Sequence, residues 1–154
     1  PSPLDLKEPE ASLELEYVYG YRCHDVRNNL WYVAGENFAF NSAGLGIVMD
    51  PKKNSQTFHF HHKDDIMSIA VHPSGKYVAT GEIGPTPLIS VWDVTNPLET
   101  IITFNKPLTK GVSQLAFSPS GKYLAASAME DSHSIAIFSC NFNQKPGSKT
   151  PPVV

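Results

Sequence analysis

The sequence predicts an all-β chain built from repeated antiparallel sheets, and three observations predict it. Thirteen prolines and ten glycines punctuate the 154 residues too often for long helices. Between them lie short runs rich in β-branched, aromatic and aliphatic side chains, which suit a pleated, half-buried surface. The chain also repeats itself, since residues 67–94 align without a gap to residues 113–140 at an offset of 46. Eight of these 28 aligned positions are identical, and five of the eight form the block Pro-Ser-Gly-Lys-Tyr.

Each copy resolves into strands. Residues 66–71 and 112–117 read as first strands. Pro-Ser-Gly then turns the chain, because proline fixes its own φ and glycine accepts the positive φ of a tight turn. Residues 76–81 and 122–128 return as second strands, and 88–93 and 134–138 supply a third with period-two alternation. Residues 99–104 add a fourth after the first copy. An earlier, degenerate unit reads as strands at 30–33, 37–40, 46–49 and 57–60 and lacks the Pro-Ser-Gly turn. Short antiparallel strands recurring at this spacing are the signature of β-propeller blades. The expectation is about three four-stranded blades. A ring of four needs roughly 160 residues at about 40 per blade, so this chain is not expected to close alone.

The domain reading follows. Residues 1–12 form an acidic, proline-containing linker, and 13–32 a motif-bearing segment. Residues 30–65 form the degenerate first blade, 66–111 the second and 112–140 an incomplete third. Residues 141–154 read as a Pro-rich loop or tail, in which Val153 and Val154 are candidates for a further strand. The chain opens on proline, so it reads as a piece of something longer.

Charge and composition exclude several function classes. Twelve basic against fifteen acidic side chains give −3, with no Lys/Arg stripe to neutralise phosphates, so nucleic acid is not an expected partner. No apolar run approaches the ~20 residues of a membrane span, and no signal-peptide pattern opens the chain. Cys23 and Cys140 have no CxxC partner, which argues against a metal knuckle or a redox pair. Both are expected as reduced, buried small hydrophobes.

The second blade carries a recognisable pattern. Residues 71–82 (VHPSGKYVATGE), followed by ISVWDV at 89–94, resemble the WD repeat, with its Gly-His, its turn block and its closing Trp-Asp. The resemblance places His62 at the histidine, Thr80 at the second-strand serine, and Trp92-Asp93 at the signature dipeptide. In that family the histidine, serine and tryptophan form a buried relay with an Asp in the next turn. Here that turn, residues 84–87, carries no Asp, and the relay is expected to be incomplete. In the third blade Leu108, Ala126 and Phe138 stand at the three positions, with Asp131 as the turn acid, so packing is expected to replace the polar relay.

The segment at 13–32, LELEYVYGYRCHDVRNNLWY, closely resembles the HELP motif of echinoderm microtubule-associated protein-like proteins. The residues carrying that resemblance include Val18, Tyr19, Gly20, Tyr21, Arg22, Asp25, Arg27 and Asn28, with Tyr17 where the family has tryptophan. The resemblance implies an atypical propeller associated with tubulin or microtubules, in the cytoplasm or a ciliary axoneme, and a HELP segment packed as architecture. Three tyrosines within five residues need hydroxyl partners, for which Arg22, Asp25 and Arg27 are candidates. Buried pairing of Arg22 and Arg27 with Asp25 or backbone carbonyls is expected in preference to partner contact.

Candidate chemistry is sparse. His59, His61 and His62 with Asp64 and Asp65 look like metal ligands on paper. The WD pattern already explains His62, so no metal and no cofactor is expected. No GxSxG elbow accompanies a Ser-His-Asp set, and Gly44-Leu45-Gly46 has no helix after it to hold a phosphate, so an enzyme is not expected. Lys52, Lys53, Ser74, Lys76, Ser120 and Lys122 are candidate partner-contact turn residues. Lys63, Lys106 and Lys110 join them in a solvated basic rim. The function read from all this is a scaffold whose loops dock on tubulin or an axonemal neighbour. The alternative is a WD-repeat scaffold or ciliary or signalling adaptor with other partners. A purely electrostatic grip on an acidic surface is disfavoured by the −3 charge.

Overall fold

A computed structural model describes residues 11–142 and 148–149. The first sheet pairs β1 (Leu30–Val33), β2 (Asn37–Ser42), β3 (Leu45–Asp50) and β4 (Ser55–His59) in chain order, all antiparallel. The second pairs β5 (Ile66–Val71), β6 (Tyr77–Glu82), β7 (Ile89–Asp93) and β8 (Asn96–Phe104) in the same way. The third pairs β9 (Val112–Phe117), β10 (Tyr123–Ala128) and β11 (Ile135–Ser139).

The third sheet has three strands among the described residues. One detail differs from the expectation. In place of a loop throughout the tail, β12 (Ser148–Lys149) pairs parallel with Ile102 and Thr103 on the outer edge of β8. Val153 and Val154 lie outside the described residues.

Register makes the three sheets equivalent. Ala39 pairs with Val48, Ala79 with Val91, and Ala125 with Ile137. Side-chain period two then sends one set of residues to each neighbour. Val33, Ala39 and Val48 of the first sheet pack on Ile69, Val78, Trp92 and Val94 of the second. Ala70, Ala79, Ile89, Val91, Ile102 and Phe104, on the opposite side of the second sheet, pack on Leu115, Leu124, Ala126 and Phe138 of the third. Burying each large apolar side chain contributes about 1.5–3 kcal/mol, so these two seams hold the arc together. The sheets are therefore propeller blades.

Among the described residues the arc does not close. Ile135 and Ile137, counterparts of the buried Ile89 and Val91, are 70% and 41% exposed on the outer side of the third blade.

Hydrogen bonds between connections define two faces. On one, Ala34 N–H donates to Gly75 O, Val94 N–H to Lys76 O, and Cys140 N–H to Lys122 O, at 2.8–2.9 Å. This is the turn face, where each Pro-Ser-Gly sits. On the other, Ile66 N–H donates to Ala43 O, Ile83 N–H to Asp65 O, and Gly84 N–H to Lys110 O, at 2.9–3.1 Å. This loop face gathers the connections between blades.

Candidate functional site

At the loop-face end of the first seam, a polar relay runs inward from the surface. Glu82 Oε2 lies 2.9 Å from His62 Nδ1, His62 Nε2 lies 2.7 Å from Thr80 Oγ1, and Trp92 Nε1–H donates to that same oxygen at 3.1 Å. The relay expected to lack its carboxylate therefore has one. Glu82 supplies it from the end of β6, not from the turn at 84–87. Residues two apart on a strand share a face, so Thr80 and Glu82 both reach the ring. The carboxylate also accepts the N–H groups of Lys63 at 3.0 Å and Leu88 at 3.2 Å. Burial alone would raise the Glu82 carboxyl, but His62 and those amides outweigh it and hold it below its ordinary value.

A second buried histidine crosses the same seam. His59, at the end of β4, is 1% exposed and stacks on Trp92 with ring centroids 4.9 Å apart and planes 13° apart. Its Nδ1–H donates to Pro97 O at 2.6 Å, and its Nε2 lies 2.9 Å from Ser90 Oγ. Burial pushes its ring down to about 4, so at neutral pH Nε2 accepts the serine hydroxyl. Both nitrogens are engaged in the fold, which leaves neither to a metal. The contact demands Gly46, because a β-carbon there would come within 2.9 Å of the Trp92 ring and 3.2 Å of His59. Among the described residues no three His, Cys, Asp or Glu side chains are grouped to hold an ion.

In the second seam the same places are apolar. Leu108, Ala126 and Phe138 are buried in one cluster, and Phe104, ending β8 as His59 ends β4, stacks on Phe138 at 4.4 Å. Asp131 instead pairs with Lys110 at the surface, 3.0 Å away. Its neighbour Glu130 takes hydrogen bonds from Ser134, Thr109 and Ser132, which lower its carboxyl to about 2.

The segment before β1 is strapped to the first blade. The Gln56 side-chain amide reads the backbone of Val18 as a strand would, accepting its N–H at 2.8 Å and donating to its carbonyl at 3.1 Å. Val18 packs on Phe40, Ile47 and Phe58. Two of the three tyrosine hydroxyls find asparagines, not the candidate charged groups: Tyr17 donates to Asn54 at 3.2 Å and Tyr21 to Asn29 at 2.6 Å. Arg22 holds Asp25 through two hydrogen bonds of 2.8 and 2.7 Å and reaches across to Asp65 at 2.5 Å. These contacts raise the guanidinium and lower Asp25. Arg27 donates to the carbonyls of Cys23 and Val26. Asn28 adopts a positive φ of 55°, and its carbonyl accepts Trp31 Nε1–H at 2.6 Å. Much of the segment lies on the surface, with Tyr19 93% exposed and Gly20 open to solvent, whereas Val26 and Asn29 are buried.

The turn lysines are mostly committed within the fold. Lys52 pairs with Glu36, Lys53 with Asp50 at 3.4 Å, and Lys76 with Asp93 at 3.3 Å while covering the Tyr77 ring. Ser74 Oγ lies 2.7 Å from His72 Nδ1, and Ser120 Oγ 3.1 Å from Ser118 Oγ. Lys122 is exposed. The cysteines are both free thiols, but only Cys140 is buried; Cys23 is exposed, because the strap around it lies outside the core. Burial pushes the Cys140 thiol up to about 12.

Comparison with known proteins agrees with this geometry. The WD domain, G-beta repeat profile matches residues 52–93 and 98–139, more than half of the chain. The chain belongs to the WD-repeat family. Its WD repeats follow a HELP motif matched over residues 8–47. It is 32% identical over 149 residues to the ciliary WD repeat-containing protein ctxp80 of Euplotoides octocarinatus, covering 84% of this chain and 20% of that protein. Echinoderm microtubule-associated protein-like 2 of Homo sapiens is 31% identical over 93 residues, 55% of this chain and 14% of that protein. Echinoderm microtubule-associated protein-like 1 of Mus musculus is 32% identical over the same length, 11% of its own. The chain thus spans a fifth or less of the curated relatives it matches.

The roles of three residues of these WD repeats escaped the sequence reading. Glu82 stands outside the turn in which the family keeps its acid, although its i+2 spacing from Thr80 is a usable signal. His59 and Ser90 meet only across the seam, and no spacing in the chain announces that contact.

Proposed function

We propose that this WD-repeat chain is part of a non-catalytic scaffold that associates with microtubules, in the cytoplasm or in the axoneme of a cilium or flagellum. The observation that carries the reading is the strapped HELP segment. Its Val18–Gln56 pairing and its Arg22 clamp on Asp65 join the motif to the first blade as one rigid part. Relatives named as microtubule-associated and as ciliary support the same reading. Rigid blades present loops at both ends, and such loops dock partners at little cost in ordering entropy. Tubulin or an axonemal neighbour is the proposed partner, and further blades of the same longer protein are proposed to cover Ile135 and Ile137. The proposed contact residues on the turn face are Lys52, Lys53, Ser74, Lys76, Ser120 and Lys122. No nucleic acid, membrane, metal or cofactor enters the proposed role.

The test is co-sedimentation of the full-length protein with polymerised tubulin. Pelleting that saturates with tubulin is expected, and a protein left wholly in the supernatant overturns the reading. A second reading, a scaffold for partners other than tubulin, is favoured by one observation: Lys52, Lys53 and Lys76 are already tied to the chain's own carboxylates. Under that reading the soluble protein retains its partners in the absence of polymer.

A further inference from the structure

Among the described residues, only the second blade carries a strand beyond its fourth, β12 on the outer edge of β8. The first sheet ends at β4. The two outer strands differ in sequence. β4 reads Ser-Gln-Thr-Phe-His, whereas β8 ends in Glu99-Thr100-Ile101-Ile102-Thr103-Phe104. Such a run, of high β-propensity with a single charge and no proline, is the kind of segment that templates edge-to-edge pairing.

The two halves of β8 are protected differently. Toward its start Pro97 has no N–H to offer, and two register shifts against β7 disturb the ladder between Asn96 and Ile102. From Ile102 to Phe104 the pairing is regular, Val91 with Ile102, Ser90 with Thr103 and Ile89 with Phe104. That regular stretch is where β12 sits, with Ser148 opposite Ile102 and Lys149 opposite Thr103. In the sequence β12 is bracketed by Pro146 and by Pro151-Pro152, which cannot donate to a ladder. It covers the edge without offering a long new one. Further blades would not do this, because blades pack face to face, as at the two seams, and leave outer edges open.

We propose that residues 148–149 are an edge guard, which keeps β8 from pairing with β8 of a second copy of this chain. A two-residue contact is weak by itself, but it is intramolecular. Phe142 stacks on Tyr77 with ring centroids 4.3 Å apart, so the chain is anchored on the second blade five residues before Ser148. That tether gives the guard a higher effective concentration than a second copy has. This goes beyond the scaffold reading and does not depend on tubulin: it concerns what the protein must not bind.

Hydrogen exchange and sedimentation velocity of the full-length protein, parent against Ser148→Pro with Lys149→Pro, test the proposal. The double variant removes both N–H donors of β12 and lies outside both seams, so it should melt like the parent. Exchange in residues 100–104 is expected to rise about fivefold or more, with residues 55–59 unchanged. The average mass of the variant is expected to rise with concentration more steeply than that of the parent. Thr100→Lys, added to the double variant, puts a charge on the opened edge and is expected to return the mass to the parent's. Unchanged exchange in 100–104 overturns the proposal, because β12 then covers nothing. Faster exchange without added self-association overturns it as well, because the edge then needs no guard. Self-association that Thr100→Lys leaves in place also overturns it, since the contact then lies elsewhere than on β8.

Discussion

Glu82 and His62 meet at 2.9 Å at the mouth of a buried chain of hydrogen bonds that ends on the indole of Trp92. The carboxylate lies at the end of a strand and not in the turn that follows it, where the WD pattern has its acid. The seam between the first and second blades therefore keeps its polar relay through a different backbone position.

Removing that carboxylate should be costly. Glu82→Ala leaves the His62 ring and the amides of Lys63 and Leu88 without their acceptor, and is expected to destabilise the protein by about 2–4 kcal/mol. Glu82→Gln retains an acceptor oxygen and should lose less. Urea denaturation at neutral pH measures both. Equal midpoints for Ala and the parent would show that the relay contributes nothing.

The buried His59 makes stability depend on pH. Its ring is lowered from 6.5 to about 4, so the unfolded chain binds a proton that the folded chain refuses. The contribution is fully present above pH 6.5 and is lost as pH falls toward about 4. A shift of that size corresponds to about 3 kcal/mol between the two limits. Glu82, also lowered, loses its contribution further into acid, in the carboxylate range. Chemical denaturation of His59→Gln and parent between neutral pH and pH 4 should converge; parallel curves would sink the assignment.

The Pro-Ser-Gly turns should differ in their tolerance of a methyl group. Gly75 and Gly121 share a positive φ of 70° and 71°, so alanine is strained at both. At Gly75 the added carbon would meet Ala34 N at 3.3 Å, whereas at Gly121 it would overlap the His72 ring. Gly121→Ala should therefore cost about 1–3 kcal/mol more than Gly75→Ala. His72→Ala in the same chain should recover much of the difference. A thermal-melt double-mutant cycle reads the coupling directly.

The strap should open before the blades do. Arg22→Ala breaks the links to Asp25 and Asp65 but leaves the two blade seams untouched. Faster hydrogen exchange is expected at Val18 and its neighbours, with protection in β6 and β7 unchanged. Arg22→Lys should restore little, since one ammonium cannot reproduce the forked contact. Exchange rising equally everywhere would mean that the strap and blades unfold together.

The two thiols should separate cleanly. Cys23 is exposed and should react with a thiol reagent in the native protein, while Cys140, buried and raised to about 12, should react only on unfolding. Mass mapping of labelled peptides distinguishes them. Native labelling of Cys140 would contradict its place in the second seam.

Much of the fold was legible because its signals are local. Pro73, Gly75, Pro119 and Gly121 mark turns by their own backbone limits, and alternation from Ile89 to Asp93 marks a strand by its own period. The WD signature likewise placed His62, Thr80 and Trp92 along the chain before their contacts were known. What was not legible depends on approach between distant segments. Asn54 and Asn29 as tyrosine partners, Asp65 as the second hold on Arg22, and the stacking of His59 on Trp92 all join residues brought together by folding. The surface position of Cys23 was missed for the same reason: composition tells that a thiol prefers the interior, but not which segment supplies the interior.

The chemical contrast between the two seams gives the blades an identity. A blade ending in His59 fits a neighbour that offers Ser90, the Pro97 carbonyl and a tryptophan face; one ending in Phe104 fits a neighbour that offers Phe138. Shuffling the repeats by recombination would set an imidazole against a phenyl ring, or a phenyl against a hydroxyl, and strand a buried polar atom each time. Although the repeats share a turn, they are not interchangeable, and their order along the gene is written into their edges.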